Sequence, residues 1–246
     1  MSAQLDQLGD QSVDRPTEFA RARWGGVVDK DGELTESQFF DAPYSSMVHD
    51  FLVTRDYVLF PIMPLTGSLQ RAMAGGPAFA WEPEKGTYLG VLKRGDGVSN
   101  IRWFEGPAAY VFHPMNAYQI GDRLICDVCE YEEAPLFPHA DGSKPDPAKS
   151  NAVLKRWTID LAASTNEYQV EQFHDHVCEF PRLDERYAGL NYRHGYFGCQ
   201  GAEPSRSGGF TAIGHVDHEK GCVETFDLGL NFAASEPVFV PRGTSE

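Results

Sequence analysis

The stretch Ser45–Leu65, SSMVHDFLVTRDYVLFPIMPL, indicates the kind of fold that this chain adopts. Phe51, Val53 and Tyr57 lie on either side of a short polar turn, and aromatic and β-branched side chains are typical of pleated, half-buried strands. The stretch therefore predicts a strand, a turn and a second strand. His49 stands at the head of this hairpin. A histidine in that place is more often a structural or surface residue than a ligand, so its role depends on the rest of the chain.

Similar short, strand-like runs occur before and after this stretch. Short runs such as AYVFHPMNAYQ at 109–119 and RLICDVCEY at 123–131 are separated by Gly, Asp, Asn and Pro turns. Many short strands at near-regular spacing are typical of an all-β fold, either a sandwich, a barrel or a propeller. The best helix candidate is the TGSLQRAMAGG segment at 66–76. Residues 1–23 are predicted to form a poorly structured lead-in, and residues 24–246 one β-domain.

The composition limits the partners that the chain can have. Among 246 residues, 36 Asp and Glu outnumber 21 Lys and Arg, which gives a formal net charge of −15. That charge repels phosphate backbones, so we expect no nucleic acid partner. No run approaches the roughly 20 apolar residues of a membrane span, and the acidic, polar start does not resemble a signal peptide. The expectation is a cytoplasmic protein without a membrane span.

The cysteines do not suggest a disulfide framework, because they are scattered and odd in number. They are Cys126, Cys129, Cys178, Cys199 and Cys222. Cys126 and Cys129 form a C-x-x-C pair, but no second pair follows at zinc-ribbon spacing, so a structural zinc is disfavoured. Reduced thiols are the simpler expectation.

A spaced series of polar residues predicts where a site lies. His49, His113, Glu179 and Glu236 each precede a strand-like run, at successive separations of 64, 66 and 57 residues. A repeat near 60 residues fits propeller blades with long loops. The corresponding ends of inner strands in a propeller converge on one axis, so these side chains are expected to point to a shared site. Histidines from neighbouring blades can meet there on a metal, with the carboxylates orienting their rings.

Four stretches resemble, in this order, the motifs of the carotenoid cleavage oxygenase family, and most closely its lignostilbene dioxygenase branch. They are MVHDFLVTRDYVLFPIMPL, FHPMNAYQIGDRLICDVCEYE, EFPRLDERYAGLNYRHGY and SEPVFVPRG, and the resemblance runs from about Trp24 to the end of the sequence. It implies a seven-bladed β-propeller that holds a non-haem Fe(II) on four histidines at its axis. Such enzymes cleave a conjugated carbon–carbon double bond with O₂ and give two carbonyl products.

The resemblance also implies roles for single residues. His49 matches the family's second iron ligand and His113 its third. Glu179 matches the carboxylate that accepts the other ring N–H of the third ligand, and Glu236 the corresponding partner of the fourth. Neutral imidazoles suit Fe(II), and carboxylates behind them orient the rings without taking positions that O₂ needs. The implied partners are O₂ and a small, apolar, conjugated substrate, with hydroxystilbenes favoured over apocarotenoids.

Two of the family's ligands have no match in this sequence. The first lies in an A-H-P context and the fourth in an F-H-G context, but no histidine precedes His49 and none follows His218. We therefore expect an interior fragment, a partial propeller of about four blades with weak iron binding and impaired activity. The alternative is a non-catalytic β-propeller fragment or interaction module. A propeller of the lactonase or glycosidase kind is a more distant alternative.

The remaining histidines carry weaker signals. His174 and His176 share one face of a strand and are interpreted as a solvated surface more readily than as ligands. His194 is interpreted as a packed structural residue that could line a cavity. The other interpretations are an exposed hairpin tip for His215 and His218 and a loop for His139. A nucleophilic mechanism has no support, since the sequence contains no G-x-S-x-G.

Overall fold

The computed structural model describes residues 22–203 and 209–242. Residues 1–21 of the expected lead-in lie outside this range, whereas residues 22 and 23 begin the first strand. The described chain is all-β, as predicted. Its strands are β1 Ala22–Val28, β2 Leu34–Asp41, β3 Leu52–Val53, β4 Tyr57–Ile62, β5 Leu65–Gly67, β6 Phe79–Trp81, β7 Thr87–Lys93, β8 Arg102–Gly106, β9 Tyr110–Ile120, β10 Arg123–Tyr131, β11 Val153–Asp160, β12 Gln169–Leu183, β13 His194–Cys199, β14 Ala212–Asp217 and β15 Cys222–Asp227. Its helices are α1 Leu69–Met73 and three short 3₁₀ turns, Pro83–Lys85, Val98–Asn100 and Glu185–Tyr187.

Three groups of four antiparallel strands make up most of the described fold. The first is β3-β4-β7-β8, and the other two are joined in one seven-stranded sheet with the order β15-β14-β13-β12-β11-β10-β9. The joining strand is β12, which pairs with β11 up to Val177 and with β13 from Cys178 onwards. It therefore belongs to two successive groups. Two further pairs of strands, β1-β2 and β5-β6, form separate two-stranded sheets. In the sequence, β1-β2 precedes the first group and β5-β6 lies between β4 and β7.

The hairpin in the quoted stretch forms as predicted, but it begins later than expected. β3 and β4 pair across a turn in which the hydroxyl of Thr54 accepts the backbone N–H of Tyr57 at 2.9 Å. His49 lies three residues before β3, in irregular chain rather than at the start of a strand. The helix was also predicted correctly, and Ser68 caps α1 by accepting the N–H of Arg71 at 3.1 Å.

Two hydrophobic clusters hold the sheets together, and strand β10 contributes to both. Cys126 packs in the first cluster with Trp157, and Cys129 packs in the second with Phe197. Seven consecutive residues of β10 are buried, because alternate side chains point to opposite clusters. Burying each large apolar side chain stabilises the fold by about 1.5–3 kcal/mol. The two thiols of the C-x-x-C pair, both free and buried, face different clusters and cannot share a metal ion.

The helices are all short. Within residues 22–203 and 209–242, none has the length and apolar character that crossing a membrane requires.

Candidate metal centre

His113 is positioned by strand β9, which the tight β9-β10 hairpin anchors. Gly121 in the turn of this hairpin has a φ of 58°, a left-handed conformation that glycine adopts at little cost. The Nδ1 atom of His113 lies 2.6 Å from Oε2 of Glu179 on β12, so the predicted contact between these residues is present. A carboxylate can only accept a hydrogen bond, so Nδ1 carries the ring proton and Nε2 keeps its lone pair.

A backbone N–H also holds Glu179 in place. Its side chain is only 6% exposed, and Oε2 also accepts the backbone N–H of Phe180 at 2.5 Å. Its second oxygen, Oε1, is buried and has no hydrogen-bond partner among the residues that the structure describes. Burial, followed by the charge of Glu179, raises the pKa of the nearby Tyr131 hydroxyl well above its usual value. The carboxylate therefore acts on His113 through one oxygen of fixed direction.

Phe180, directly after this carboxylate, has an unusual backbone. Its φ is 55°, and in the described ranges it is the one residue other than glycine with a positive φ. Such a conformation costs about 1–3 kcal/mol and persists only where the surroundings impose it. The centre of its ring lies 5.6 Å from that of His113. The turn at Phe180 thus places a carboxylate and an aromatic ring against the same imidazole, and the sequence carried no signal for it.

His49 reaches the site from irregular chain and has a different anchor. Its Nδ1 lies 3.0 Å from the backbone oxygen of Phe112. A carbonyl oxygen accepts, so Nδ1 again carries the proton and Nε2 again keeps its lone pair. The ring of Phe112 stands edge-on to His49, with the ring centres 5.2 Å apart. Sequence reasoning missed this partner, because a backbone oxygen has no residue signature.

The structure brings the two predicted histidines together. The ring centres of His49 and His113 are 5.0 Å apart and the rings are perpendicular. The hydrogen bond that His113 donates to Glu179 raises the pKa of His113, burial opposes this, and the charges of Glu179, Glu236 and Asp50 add to it. Each ring has its Nδ1 satisfied and its Nε2 available, and the surroundings are negative. That combination suits a cation.

Glu236 does not bind a histidine in the described part of the chain. Its Oε1 lies 3.3 Å from Nη1 of Arg182, and its side chain is 51% exposed. The fourth ligand, which this carboxylate would orient, has no match in the sequence, and the site as described is built from His49, His113 and Glu179.

The residues present have donor atoms of the type that binds Fe(II), although they supply only two imidazoles. All eight histidines of the sequence fall within the described residues. No cluster of three or more His, Cys, Asp or Glu side chains arranged to hold a metal occurs in those residues. Imidazole nitrogens oriented by a carboxylate and a carbonyl are the donors that iron uses in non-haem sites. These two histidines would be half of the four-histidine set that the resemblance implies.

His174 and His176 are engaged with each other rather than with the centre. Nδ1 of His174 accepts the backbone N–H of His176 at 3.0 Å, and the His174 ring stacks on Phe197 with centres 5.3 Å apart. Burial lowers the pKa of His174 to about 4. His174 is therefore half-buried, unlike the solvated face that was predicted, whereas His176 is exposed, as predicted.

The other histidines have partners of their own. His194 and His215 face each other, with Nδ1 and Nε2 separated by 3.0 Å, and His139 lies 2.5 Å from the buried carboxylate of Glu133. The interpretation of His218 as an exposed hairpin tip is wrong, since its side chain is 8% exposed. It packs edge-on against Tyr192, with ring centres 4.7 Å apart, and this contact buries it.

Comparisons with known proteins give a consistent result. Residues 18–246 match the family of the retinal pigment epithelial membrane protein, RPE65. An isoeugenol monooxygenase of Pseudomonas putida is 38% identical in a 224-residue alignment that covers 88% of this chain and 47% of that protein. A lignostilbene-α,β-dioxygenase isozyme III of Sphingomonas paucimobilis is 35% identical in a 229-residue alignment that covers 87% of this chain and 47% of that protein.

Solved structures show the same similarity. The crystal structure of the Pseudomonas brassicacearum lignostilbene dioxygenase superposes with a TM-score of 0.85 at 32% identity, over 92% of this chain and 49% of that one. A point mutant of the Synechocystis enzyme ACO superposes with a TM-score of 0.73 at 27% identity, over 90% of this chain and 46% of that one. The chain spans about half the length of the proteins it matches.

Proposed function

Because this chain belongs to the family of RPE65 and the carotenoid cleavage oxygenases, we propose that it forms part of a non-haem Fe(II)-dependent dioxygenase. The proposed reaction cleaves a conjugated carbon–carbon double bond with O₂ and gives two carbonyl products. The observation that supports it is the pair His49 and His113, whose rings lie 5.0 Å apart with both Nδ1 atoms hydrogen-bonded. That arrangement leaves two Nε2 lone pairs for one metal ion.

Each residue of the centre has a definite task in this proposal. His49 and His113 would hold Fe(II) through Nε2. Glu179 keeps the proton of His113 on Nδ1 and fixes the plane of the ring, and the Phe112 carbonyl does the same for His49. Bound Fe(II) would supply the activation of O₂ beside the alkene.

The aromatic rings around the histidines favour an apolar, conjugated substrate. The rings of Phe112 and Phe180 lie 5.2 Å and 5.6 Å from the imidazoles of His49 and His113. Such rings offer flat apolar surface to a conjugated chain. We favour a hydroxystilbene over an apocarotenoid, because the relatives at 38% and 35% identity are named for isoeugenol and lignostilbene. A relative at 30% identity is named a carotenoid cleavage oxygenase.

The 246-residue chain by itself is proposed to bind Fe(II) weakly and to turn over substrate poorly. It offers two imidazoles to the centre, and losing even one orienting partner costs about 10 to 100-fold in metal affinity. The three four-stranded groups and the ribbon β1-β2 are proposed to be blades of a partial propeller of about four blades. The negative charge and the lack of a predicted span make the cytoplasm the proposed location.

The test compares this chain with a form extended by the A-H-P and F-H-G segments. We would measure bound iron by mass spectrometry and aldehyde formation from 4-hydroxystilbene with and without O₂. The extended form should hold near-stoichiometric iron and form aldehydes, and both should be lost in His49→Ala and His113→Ala. His176→Ala is the matched control, because this exposed histidine lies outside the centre, and it should change neither.

Two results would count against the proposal. Stoichiometric iron in the 246-residue chain that survives His49→Ala would mean that His174, His176 or His194 builds the site instead. An extended form without iron or turnover would favour the alternative, a non-catalytic propeller module.

A further inference from the structure

A cavity lies near the end of strand β9 that is farther from His113. It has a volume of about 570 Å³ and is lined by Tyr118, Arg156, Tyr192, His218 and Phe239, among others. Tyr118 follows His113 by five residues, which corresponds to about 17 Å along an extended strand. None of the proposed metal ligands lines this space. We call it the Arg156 cavity.

The guanidinium of Arg156 is rigid and keeps one donor group unused. Its Nε and Nη2 donate to the two carboxylate oxygens of Asp127 at 2.7 and 2.9 Å. Phe173 and Tyr118 lie 4.6 and 5.9 Å from its central carbon, as measured to the ring centres. Its Nη1 donates no hydrogen bond to any residue in the described ranges. A fixed planar donor at a cavity wall is suited to an acceptor such as a carbonyl oxygen.

His218 lies at the same wall, with its ring held against Arg156. Nη2 of Arg156 lies 3.4 Å from its Nδ1, and an arginine can only donate, so Nδ1 accepts and Nε2 carries the proton. This Nε2 is buried and has no hydrogen-bond partner in the part of the chain that the structure describes. Oδ2 of Asp127 stays at 3.6 Å, beyond hydrogen-bond range. Because this nitrogen has no surface open to the cavity, a bound molecule cannot reach it, and His218 contributes only its ring to the wall.

The charged groups of the lining are already neutralised. Arg193 pairs with Asp217 and Glu219, both at under 3 Å, and Asp184 pairs with Arg186 at 2.7 Å. Burial lowers the pKa of His218 and of His194, which favours their neutral forms. An ionic ligand would therefore meet no unpaired opposite charge, whereas a neutral ligand would leave every pair intact.

Aromatic side chains line the Arg156 cavity. Tyr118 and Tyr192 stand edge-on with ring centres 5.9 Å apart, and Phe239 contributes a further ring at the mouth. We propose that the Arg156 cavity binds a neutral, planar aromatic molecule that carries a carbonyl-type acceptor. Its ring packs among Tyr118, Tyr192 and Phe239, and its acceptor takes the free N–H groups of Arg156. This site is independent of the proposed metal centre.

The experiment uses benzamide as the probe, because it has one aromatic ring and one neutral carbonyl acceptor. Binding to the 246-residue chain would be measured by isothermal titration and by saturation-transfer NMR. Phe239→Ala should raise the Kd about 3 to 10-fold, the effect of losing one aromatic contact. Arg156→Lys should raise it about 10-fold, because the charge stays but the planar fork is lost. Phe232→Ala is the matched control, since Phe232 is 64% exposed and does not line the cavity.

Related probes and conditions separate the possible explanations. Cyclohexanecarboxamide should bind at least about 3-fold more weakly than benzamide, because it keeps the acceptor and lacks the aromatic ring. Binding should be unchanged in His113→Ala and after treatment with EDTA. The proposal is overturned if benzamide does not bind or if Phe239→Ala binds it like the parent chain. It also fails if benzoate binds more tightly than benzamide, or if His113→Ala abolishes binding. Circular dichroism would establish that Arg156→Lys is folded, and Phe239→Ala alone decides the test if it is not.

Discussion

Glu179 and Asp127 are both buried carboxylates, but their hydrogen-bond partners give them different roles. Glu179 directs one oxygen to the neutral ring of His113 and leaves the other without a partner among the described residues. Asp127 uses both oxygens: Arg156 binds them as a fork, and the hydroxyl of Tyr192 donates to Oδ2 at 2.8 Å. Glu179 therefore orients a ligand, whereas Asp127 neutralises a permanent cation. We infer that the first serves binding and the second serves stability.

The largest expected effect is on stability, from Asp127→Asn. It leaves the guanidinium of Arg156 in a largely buried place without its counter-charge, which typically costs about 3–5 kcal/mol. Chemical denaturation monitored by circular dichroism measures this. The control is Asp56→Asn, because Asp56 pairs with Arg55 on an exposed surface and such pairs contribute about 0–1 kcal/mol. A loss below about 1 kcal/mol in Asp127→Asn would remove the contrast between the two carboxylates.

The next effect is on metal binding, from Glu179→Gln. The amide oxygen can still accept from His113, but the negative charge that favours the metal-bound ring is gone, so Fe(II) affinity should fall about 10 to 100-fold. Glu179→Gln should lower the free energy of unfolding by less than Asp127→Asn does. Chelator competition measures the affinity under anaerobic conditions. If affinity stays within about 2-fold of the parent chain, Glu179 does not act on the metal through His113.

A third prediction concerns pH on the Asp127 side of the comparison. Burial lowers the pKa of His218 below the value near 6.5 that it has in an unfolded chain. As pH falls below about 6.5, the unfolded chain takes up a proton that folded His218 does not, so stability decreases. Above that pH this residue contributes no pH dependence. His218→Gln should therefore lose less stability than the parent chain between pH 7.5 and pH 5.0. An equal loss in both proteins would contradict the prediction.

The smallest effect is expected from Glu236→Gln. This carboxylate is half exposed and pairs with Arg182 at 3.3 Å, so its removal should change stability by no more than about 0.5 kcal/mol. It contacts no histidine in the described ranges, so the Fe(II) affinity of this chain should change less than about 2-fold. A drop as large as that of Glu179→Gln would show that Glu236 supports the centre directly.

Most features that were predicted correctly have a local physical cause. The hairpin after His49 follows from side chains that suit a pleated surface, and α1 follows from a serine cap and good helix formers. The contact between His113 and Glu179 came from motif spacing and the family resemblance. The burial of His218 was missed because a Gly-containing turn next to it reads as an exposed tip, while the ring of Tyr192 that covers it lies 26 residues earlier.

The amino-acid sequence by itself determined the all-β class, the strand texture, the acidic charge and the order of His49, His113 and Glu179. These are properties of neighbouring residues and of motif order, and they can be read without knowing which strands pair. Only the tertiary structure decided that the Phe112 carbonyl orients His49, that Phe180 turns Glu179 inward and that β12 exchanges β11 for β13. The first depends on a backbone atom 63 residues away, the second on a backbone conformation that phenylalanine rarely adopts, and the third on strand pairing, and backbone atoms are the same for almost every residue type. Their positions follow from long-range strand pairing, which no local pattern specifies.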